Sequence, residues 1–313
     1  MLSSSAATAP ILVLSNIIID DVWLADGSHL PNMLGGAASY AAVAARLWWD
    51  EVAIVAGVGA DLETVTSGKL GAFGLRDDGY LRRSPHTIHS KLVYRADGSR
   101  TETPSYGPDH FAGLQILPED SPATLLPAAG TYVFRDLDRR YWASLHKIRS
   151  ELGILLWELQ DDDIAGRWSE AAALMPLADL FSCNLAEGRT LFGDVPPLRM
   201  CATILEAGAK MAVVRMGGAG ALIATRDTAL RVVPPASDVI DVTGGGNAFC
   251  GGLLAGWLLN DGDVGFAARC AAASAAHALS QFGPANPLER DQARAWAAAT
   301  GISPIAKGLH EPV

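Results

Sequence analysis

Apolar positions along this chain gather into short, nearly unbroken runs, separated by longer stretches with helical spacing. The first run, "ILVLSNIII" at 11–19, is β-branched and continuous, which predicts one strand covered on both faces and ending at Asp20 and Asp21. "GGAASYAAVAARLWW" at 35–49 sets glycines before a helical pattern of Ala and Leu, and "VAIVAGVG" at 52–59 reads as the next strand. Further strands are predicted at 131–136 ("TYVFRD"), 153–159 ("GILLWEL"), 179–184 ("DLFSCN"), 212–217 ("AVVRMG") and 220–225 ("GALIAT"). "AAASAAHALSQFG" at 271–283 predicts a helix closed by Gly283 and Pro284. Strand and helix alternating in this way predict an α/β fold, a mostly parallel sheet with helices on both faces. Ligands in such sheets bind beyond the carboxyl ends of the strands.

Two stretches depart from the alternation. In "HSKLVYRADGSRTETP" (89–104) apolar and polar residues alternate on either side of Asp97-Gly98, which predicts a hairpin and a small sheet of its own. In "DVIDVTGGGNAFCGGLLAGW" (238–257) a β-branched run, three glycines and a long apolar run predict a strand, a tight turn and a helix start. Such a turn lets N–H groups converge on an anion, with the helix dipole adding favourable potential. Gly244, Gly245 and Gly246 would form the cradle, with Asp241 and Thr243 before it and Asn247 after. Asp20, Glu158 and Asn184 lie at other predicted strand ends. Each also has a plainer reading: Asp20 and Asp21 as solvated strand caps, Glu158 as an ion-pair partner, and Asn184 with Glu187 as a helix-capping pair.

Composition narrows the partners. A formal charge of -10 on 313 residues, with no Lys/Arg cluster, argues against nucleic acid or an anionic membrane surface. Cys183, Cys201, Cys250 and Cys270 lack CxxC spacing and sit in apolar contexts, so buried thiols and a reducing cytoplasm are expected. "MLSSSAATAP" has no basic n-region, and no apolar window is long enough to span a bilayer, so a soluble cytoplasmic protein is expected. The histidines show no HxxxH or HxH spacing and suggest no transition-metal site; His277 reads as a packed histidine, and Trp48 and Trp49 as core or an oligomer surface.

"DVTGGGNAFCGGLLAG" resembles the C-terminal signature of the PfkB or ribokinase family of sugar and nucleoside kinases, in which an Asp-Thr-x-Gly-Ala-Gly-Asp loop binds the transferred phosphate. "SNIIIDDV" resembles the family's first strand ending in a substrate-binding Asp, here Asp20, and "GGAASYAAVAARL" its double-glycine motif, with Gly35, Gly36 and Tyr40 beside the substrate. The hairpin at 89–104 resembles the lid, "NLAE" the Asn-x-x-Glu motif near phosphate and magnesium, and "VVRMGGAGALI" the nucleotide-binding hairpin. The resemblance implies a ribokinase-like three-layer α/β/α sandwich over 11–313, a flexible tail at 1–10, and a β-lid from about 20–34 and 86–106. It further implies ATP and magnesium, with potassium as a further candidate, a small sugar, nucleoside or polyol as substrate, and a homodimer through the lid. Asn184, Glu187, Arg215, Gly217 and Gly220 would serve the nucleotide, and Asp241 and Thr243 a metal.

Two positions depart from that pattern. Asn247 stands where the family places the Asp that takes the proton from the attacking hydroxyl, and an amide cannot accept it. Tyr40 stands where the family has an Asn that contacts the sugar. "GGGN" at 244–247 and "LWE" at 156–158 resemble a fungal branch of the family linked to killer-toxin maintenance. The expected function is a phosphotransferase with an atypical base, Glu158 being the candidate replacement carboxylate. The alternative is a fold repurposed as a ligand-binding pseudokinase or for another reaction in the same cleft. A near-isosteric Asn247→Asp exchange is expected to leave the turn intact and restore the carboxylate.

Overall fold

Successive side chains of a strand point to opposite faces, and a strand apolar at every position therefore needs cover on both. Ile11 and Val13 join one buried cluster and Leu12 and Leu14 the other. The computed structural model describes residues 9–97, 99–160, 163–284 and 289–305. The expected tail lies outside the described residues up to residue 8, as does Gly98 of the hairpin turn. Ala9 O and Pro10 O accept hydrogen bonds from Trp49 Nε1 (3.2 Å) and Ala129 N (2.9 Å).

The strands among the described residues are β1 (Ile11–Leu14), β2 (Ile18–Trp23), β3 (His29–Gly35), β4 (Val52–Gly59), β5 (Tyr80–Ser84), β6 (Ile88–Tyr94) and β7 (Arg100–Pro104). They continue with β8 (Gly130–Arg135), β9 (Ile154–Leu159), β10 (Leu180–Asn184), β11 (Met211–Arg215), β12 (Ala221–Ala224), β13 (Ala229–Val233) and β14 (Gly301–Pro304). Ten of them form one sheet in the order β14-β13-β12-β11-β10-β9-β8-β1-β4-β5, parallel from β11 to β5 and antiparallel from β11 to β14. Helices Ala37–Arg46, Gly245–Leu259 and Val264–Leu279 cover one face with Ala, Gly and Leu side chains; Arg139–Ile148 and Pro197–Glu206 cover the other. The result is the expected three-layer α/β/α architecture. A second sheet, β3-β2-β6-β7, contains the expected hairpin as the antiparallel pair β6/β7.

Two expectations fail. The run 11–19 is not one strand: β1 stops at Leu14, and after Ser15, Asn16 and Ile17 the chain re-enters as β2 of the small sheet, so Asp20 lies inside a strand. The apolar run from which one strand is expected continues across the crossing because Ile17 and Ile19 are themselves fully buried, while Asn16 and Ile18 are only partly so. The β-branched run before the glycines is not a strand either. Segment 238–243 is loop, with Val239, Ile240 and Val242 more than half exposed, and its backbone is held through Ile240 N and Asp241 N to Leu279 O. The free edge of β13 is taken by β14, which was not foreseen. The four cysteines are buried free thiols. His277 is buried against Trp296, and its Nε2 accepts from Glu289 N at 3.3 Å. Trp48 and Trp49 pack against the first cluster, Trp48 Nε1 donating to Ser274 Oγ at 2.8 Å. No helix among the described residues is long and apolar enough to cross a membrane.

Candidate active site

Strand parity sets what lies under the glycine turn. Leu156 of β9, Tyr132 of β8, and Met211 and Val213 of β11 all belong to the cluster beneath helix Gly245–Leu259. Glu158 and Arg215, two residues further along their strands, project to that same face at its carboxyl end. There they meet the start of the helix. Tyr132 Oη donates to Glu158 Oε2 at 2.6 Å, Asn247 Nδ2 donates to Tyr132 Oη (3.0 Å) and to Glu158 Oε2 (3.2 Å), and Arg215 Nη2 lies 2.8 Å from Glu158 Oε1. Glu158 is 2% exposed. Arg215 Nη2 also lies 3.7 Å from Glu187 Oε2. Burial works against the Arg215 charge, yet Glu158 and Glu187 hold it above the usual range. Burial and then Glu158 hold the Tyr132 phenol well above its usual value.

Each glycine of the turn is small for its own reason. Gly244 has φ 73°, and a Cβ there would overlap the Tyr40 ring; one on Gly245 would sit 2.7 Å from Leu279 Cδ2; one on Gly246 would overlap the Arg215 guanidinium. No side chain caps the helix, so its first-turn N–H groups are available to an anion. Asp241 Oδ1 accepts from Thr243 N (3.0 Å) and Thr243 Oγ1 (2.8 Å), folding the loop that leads in. The small sheet reaches this loop: Tyr94 Oη lies 2.6 Å from Thr243 Oγ1 and donates to Asp241 Oδ1 at 3.3 Å, while Arg100 Nη1 also donates to Thr243 Oγ1. Asp241, Thr243, Tyr94 and Arg100 thus form one hydrogen-bonded group beside the turn.

Asp20, Tyr40, Tyr94, Asp241, Thr243 and Phe282 line a small open cleft. Asp20 is 7% exposed, and no hydrogen bond among the described residues contributes to the shift of its carboxyl. Burial first, then Glu102, Asp241 and Asp21 against Arg100, pushes its carboxyl up to about 8. Gly35 makes room for it, since a Cβ there would overlap Asp20 Oδ2, and Gly36, at φ 81°, does the same for Asn16 O. Tyr40 joins the two regions, because it lines the cleft while its ring covers Gly244.

Asn184 and Glu187 form the capping box of helix Leu185–Phe192: Asn184 Oδ1 accepts from Glu187 N at 2.9 Å and Glu187 Oε2 from Asn184 N at 2.6 Å. Gly217 (φ 56°) and Gly220 (φ 89°) shape the β11/β12 turn, and a side chain at Gly217 or Gly218 would enter open space. Arg215, expected to serve the nucleotide, reaches inward from β11 to Glu158 and Gly246 beneath the turn. Tyr132, Tyr94 and Arg100 carry contacts at this site without any sequence signature. The β8/β9 register, which pairs Tyr132 with Leu156, puts Tyr132 on the same face as Glu158.

The chain belongs to the pfkB family of carbohydrate kinases, whose model matches residues 16–291. It is 25% identical over 253 residues to cytidine kinase of Thermococcus kodakarensis, covering 79% of this chain and 88% of that one. Its fold is similar to that of aminoimidazole riboside kinase from Salmonella enterica, complexed with aminoimidazole riboside and an ATP analog (TM-score 0.73, 20% identity, 92% and 99% of the two chains). It is also similar to fructokinase from Vibrio cholerae bound to fructose, ADP and calcium (TM-score 0.69, 20% identity, 93% and 99%). The fold is ribokinase-like.

Proposed function

We propose that the protein transfers the terminal phosphoryl group of ATP to a hydroxyl of a small sugar, nucleoside or polyol, with Asn247 in place of a basic carboxylate. The observation that carries this reading is Tyr40, which links the cleft holding the Asp20 carboxylate to the uncapped glycine turn. A carboxylate that accepts no hydrogen bond among the described residues is suited to accepting from substrate hydroxyls. The turn's N–H groups and Arg215 are suited to the polyphosphate, and the open space beside Gly217 and Gly218 to the rest of the nucleotide. Among the described residues no cluster of three or more His, Cys, Asp or Glu can hold a metal by itself. Magnesium would therefore be held largely by the phosphates, where it supplies neutralising charge.

Phosphoryl transfer depends chiefly on positioning and on electrostatic stabilisation. The acceptor oxygen forms its bond to the γ-phosphorus as the β,γ-bridging bond breaks, and the hydroxyl proton passes to solvent or to the product phosphate. Asn247 Oδ1 can orient the hydroxyl without taking its proton, and losing a general base typically costs about 10²–10⁴-fold in rate. Glu158 is occupied by Tyr132, Asn247 and Arg215, so its role is to position Asn247 rather than to act as the base.

The test is calorimetry and thermal shift with ATP or ADP plus magnesium, followed by turnover over a panel of sugars and nucleosides. Nucleotide at one hundred times its dissociation constant should stabilise the fold by about 2.7 kcal/mol. Absence of both heat and melting shift at millimolar nucleotide would remove the kinase reading. Saturable binding without turnover on any acceptor would identify the ligand-binding pseudokinase instead.

A further inference from the structure

The Asn247→Asp exchange looks harmless in sequence and is not so in the fold. Asn247 Nδ2 is within hydrogen-bonding distance of two acceptors, Tyr132 Oη at 3.0 Å and Glu158 Oε2 at 3.2 Å. A carboxylate such as Glu158 only accepts, so the group facing it at residue 247 must donate. The charged and titratable groups around the pair are few. Tyr132 comes from β8, Arg215 from β11, Cys183 from β10, Glu187 from helix Leu185–Phe192, and Cys250 from the same helix as Asn247. Two acids therefore share one guanidinium. A third carboxylate would stand against Glu158 with no further cation there among the described residues.

We propose that Glu158 and Asn247 are an inverted carboxylate–amide pair: the negative charge of this site resides on residue 158, beneath the turn, and it requires a neutral donor at residue 247. Arg215 anchors the carboxylate, Tyr132 fixes the oxygen that Asn247 meets, and the amide is thereby held with its Nδ2 inward. Oδ1, which takes no hydrogen bond among the described residues, is left as the acceptor. Glu158 is a positioning residue in this arrangement. The coupling between the two positions is electrostatic and does not depend on the reaction; that Oδ1 orients an acceptor hydroxyl rests on the kinase reading.

Two carboxylates about 3 Å apart cannot both ionise, so in Asn247→Asp the pair retains a proton in the fold that it loses when unfolded. Stability that depends on holding that proton is lost as pH rises through the raised folded pKa. The control is Asn247→Ala, which removes the same hydrogen bonds without adding charge. Melting temperatures are measured at about pH 6 and about pH 8.5, and the two variants should diverge with pH, Asn247→Asp falling about 5 °C or more further than Asn247→Ala at the higher value. Parallel behaviour of the two variants overturns the proposal, whatever the activity.

The double variant Glu158→Gln/Asn247→Asp restores one carboxylate and one amide in the opposite order. It should melt above Asn247→Asp at about pH 8.5, and its phosphotransfer or background ATP hydrolysis should rise over wild type by up to about the 10²–10⁴-fold of a general base. A double variant that folds but melts no higher than Asn247→Asp also overturns the pairing. One that regains stability and binds nucleotide, yet turns over no acceptor, supports the pairing and counts against the kinase reading. Should the double variant not fold, the comparison of Asp with Ala still decides the question.

Discussion

Asp20 is held out of its ordinary titration range by the same burial that leaves its carboxylate free for a ligand. Its carboxyl is raised from 3.8 to about 8, first by burial and then by Glu102, Asp241 and Asp21, with Arg100 opposing. The folded protein thus binds a proton that the unfolded chain releases between roughly pH 4 and pH 8, and across that window stability falls as pH rises. The slope is about 1.4 kcal/mol for each unit crossed. Asp20→Asn abolishes this term. Melting scans should show the variant gaining on wild type by about 2 °C per pH unit through the window, and parallel curves would mean that Asp20 titrates normally. Assayed above about pH 8, where the carboxyl is ionised, the same exchange should weaken acceptor binding by about tenfold to one hundredfold, because a charge-assisted hydrogen bond is lost, with nucleotide affinity little changed. Equal loss of both ligands would make Asp20 a support of the fold instead. Gly35 belongs to the same arrangement, since any side chain there displaces the carboxylate.

The small sheet is tied to the glycine turn through two of its strands. Tyr94 ends β6 and Arg100 begins β7, and both reach Thr243, with Tyr94 also donating to Asp241. Each such hydrogen bond contributes on the order of 1 kcal/mol, enough to bias the sheet toward the site without locking it there. Arg100→Ala should speed amide hydrogen exchange in Ile88–Tyr94 and Arg100–Pro104 by about fivefold or more and leave helix Gly245–Leu259 unchanged. Unchanged exchange in β6 and β7 would show that the contact does not hold the sheet. Hydrophobic pattern was a good guide to strands with partners on both sides, such as β4, β8 and β9, because burial of both faces leaves an unbroken apolar run. It misled at 238–243, where the β-branched residues Val239, Ile240 and Val242 lie in an exposed loop, and at 11–19, where an unbroken apolar run crosses from one sheet to the other. The glycine turn, Asp20 and Asn247 were legible as motifs. The inward path of Arg215 and the role of Tyr132 were not, because they depend on which strands become neighbours, and a single sequence does not state that.

At the scale of the whole molecule, the proposed acceptor and phosphate regions lie on segments about two hundred residues apart, and helix packing holds them in register. Tyr40 belongs to helix Ala37–Arg46, and the turn opens helix Gly245–Leu259. These helices meet over the central sheet, where a Cβ on Gly251 would overlap Ala41 O and sit 2.9 Å from Ala41 C. Backbone meets backbone there, and any added methyl must push the first helix away, with Tyr40 moving on it one residue from Ala41. Overpacking of this kind costs about 1–3 kcal/mol, so Gly251→Ala should melt several degrees below wild type. Gly71→Ala, where a Cβ meets nothing within 4 Å, serves as the control and should be neutral or stabilise by up to about 1 kcal/mol. The displacement should also show in function as a larger fall in turnover than in nucleotide affinity, because the nucleotide region lies on one side of the contact and the junction of acceptor with phosphate lies across it. If Gly251→Ala loses nucleotide affinity and turnover in equal proportion, the helix contact supports the fold generally and does not set the register between the two regions.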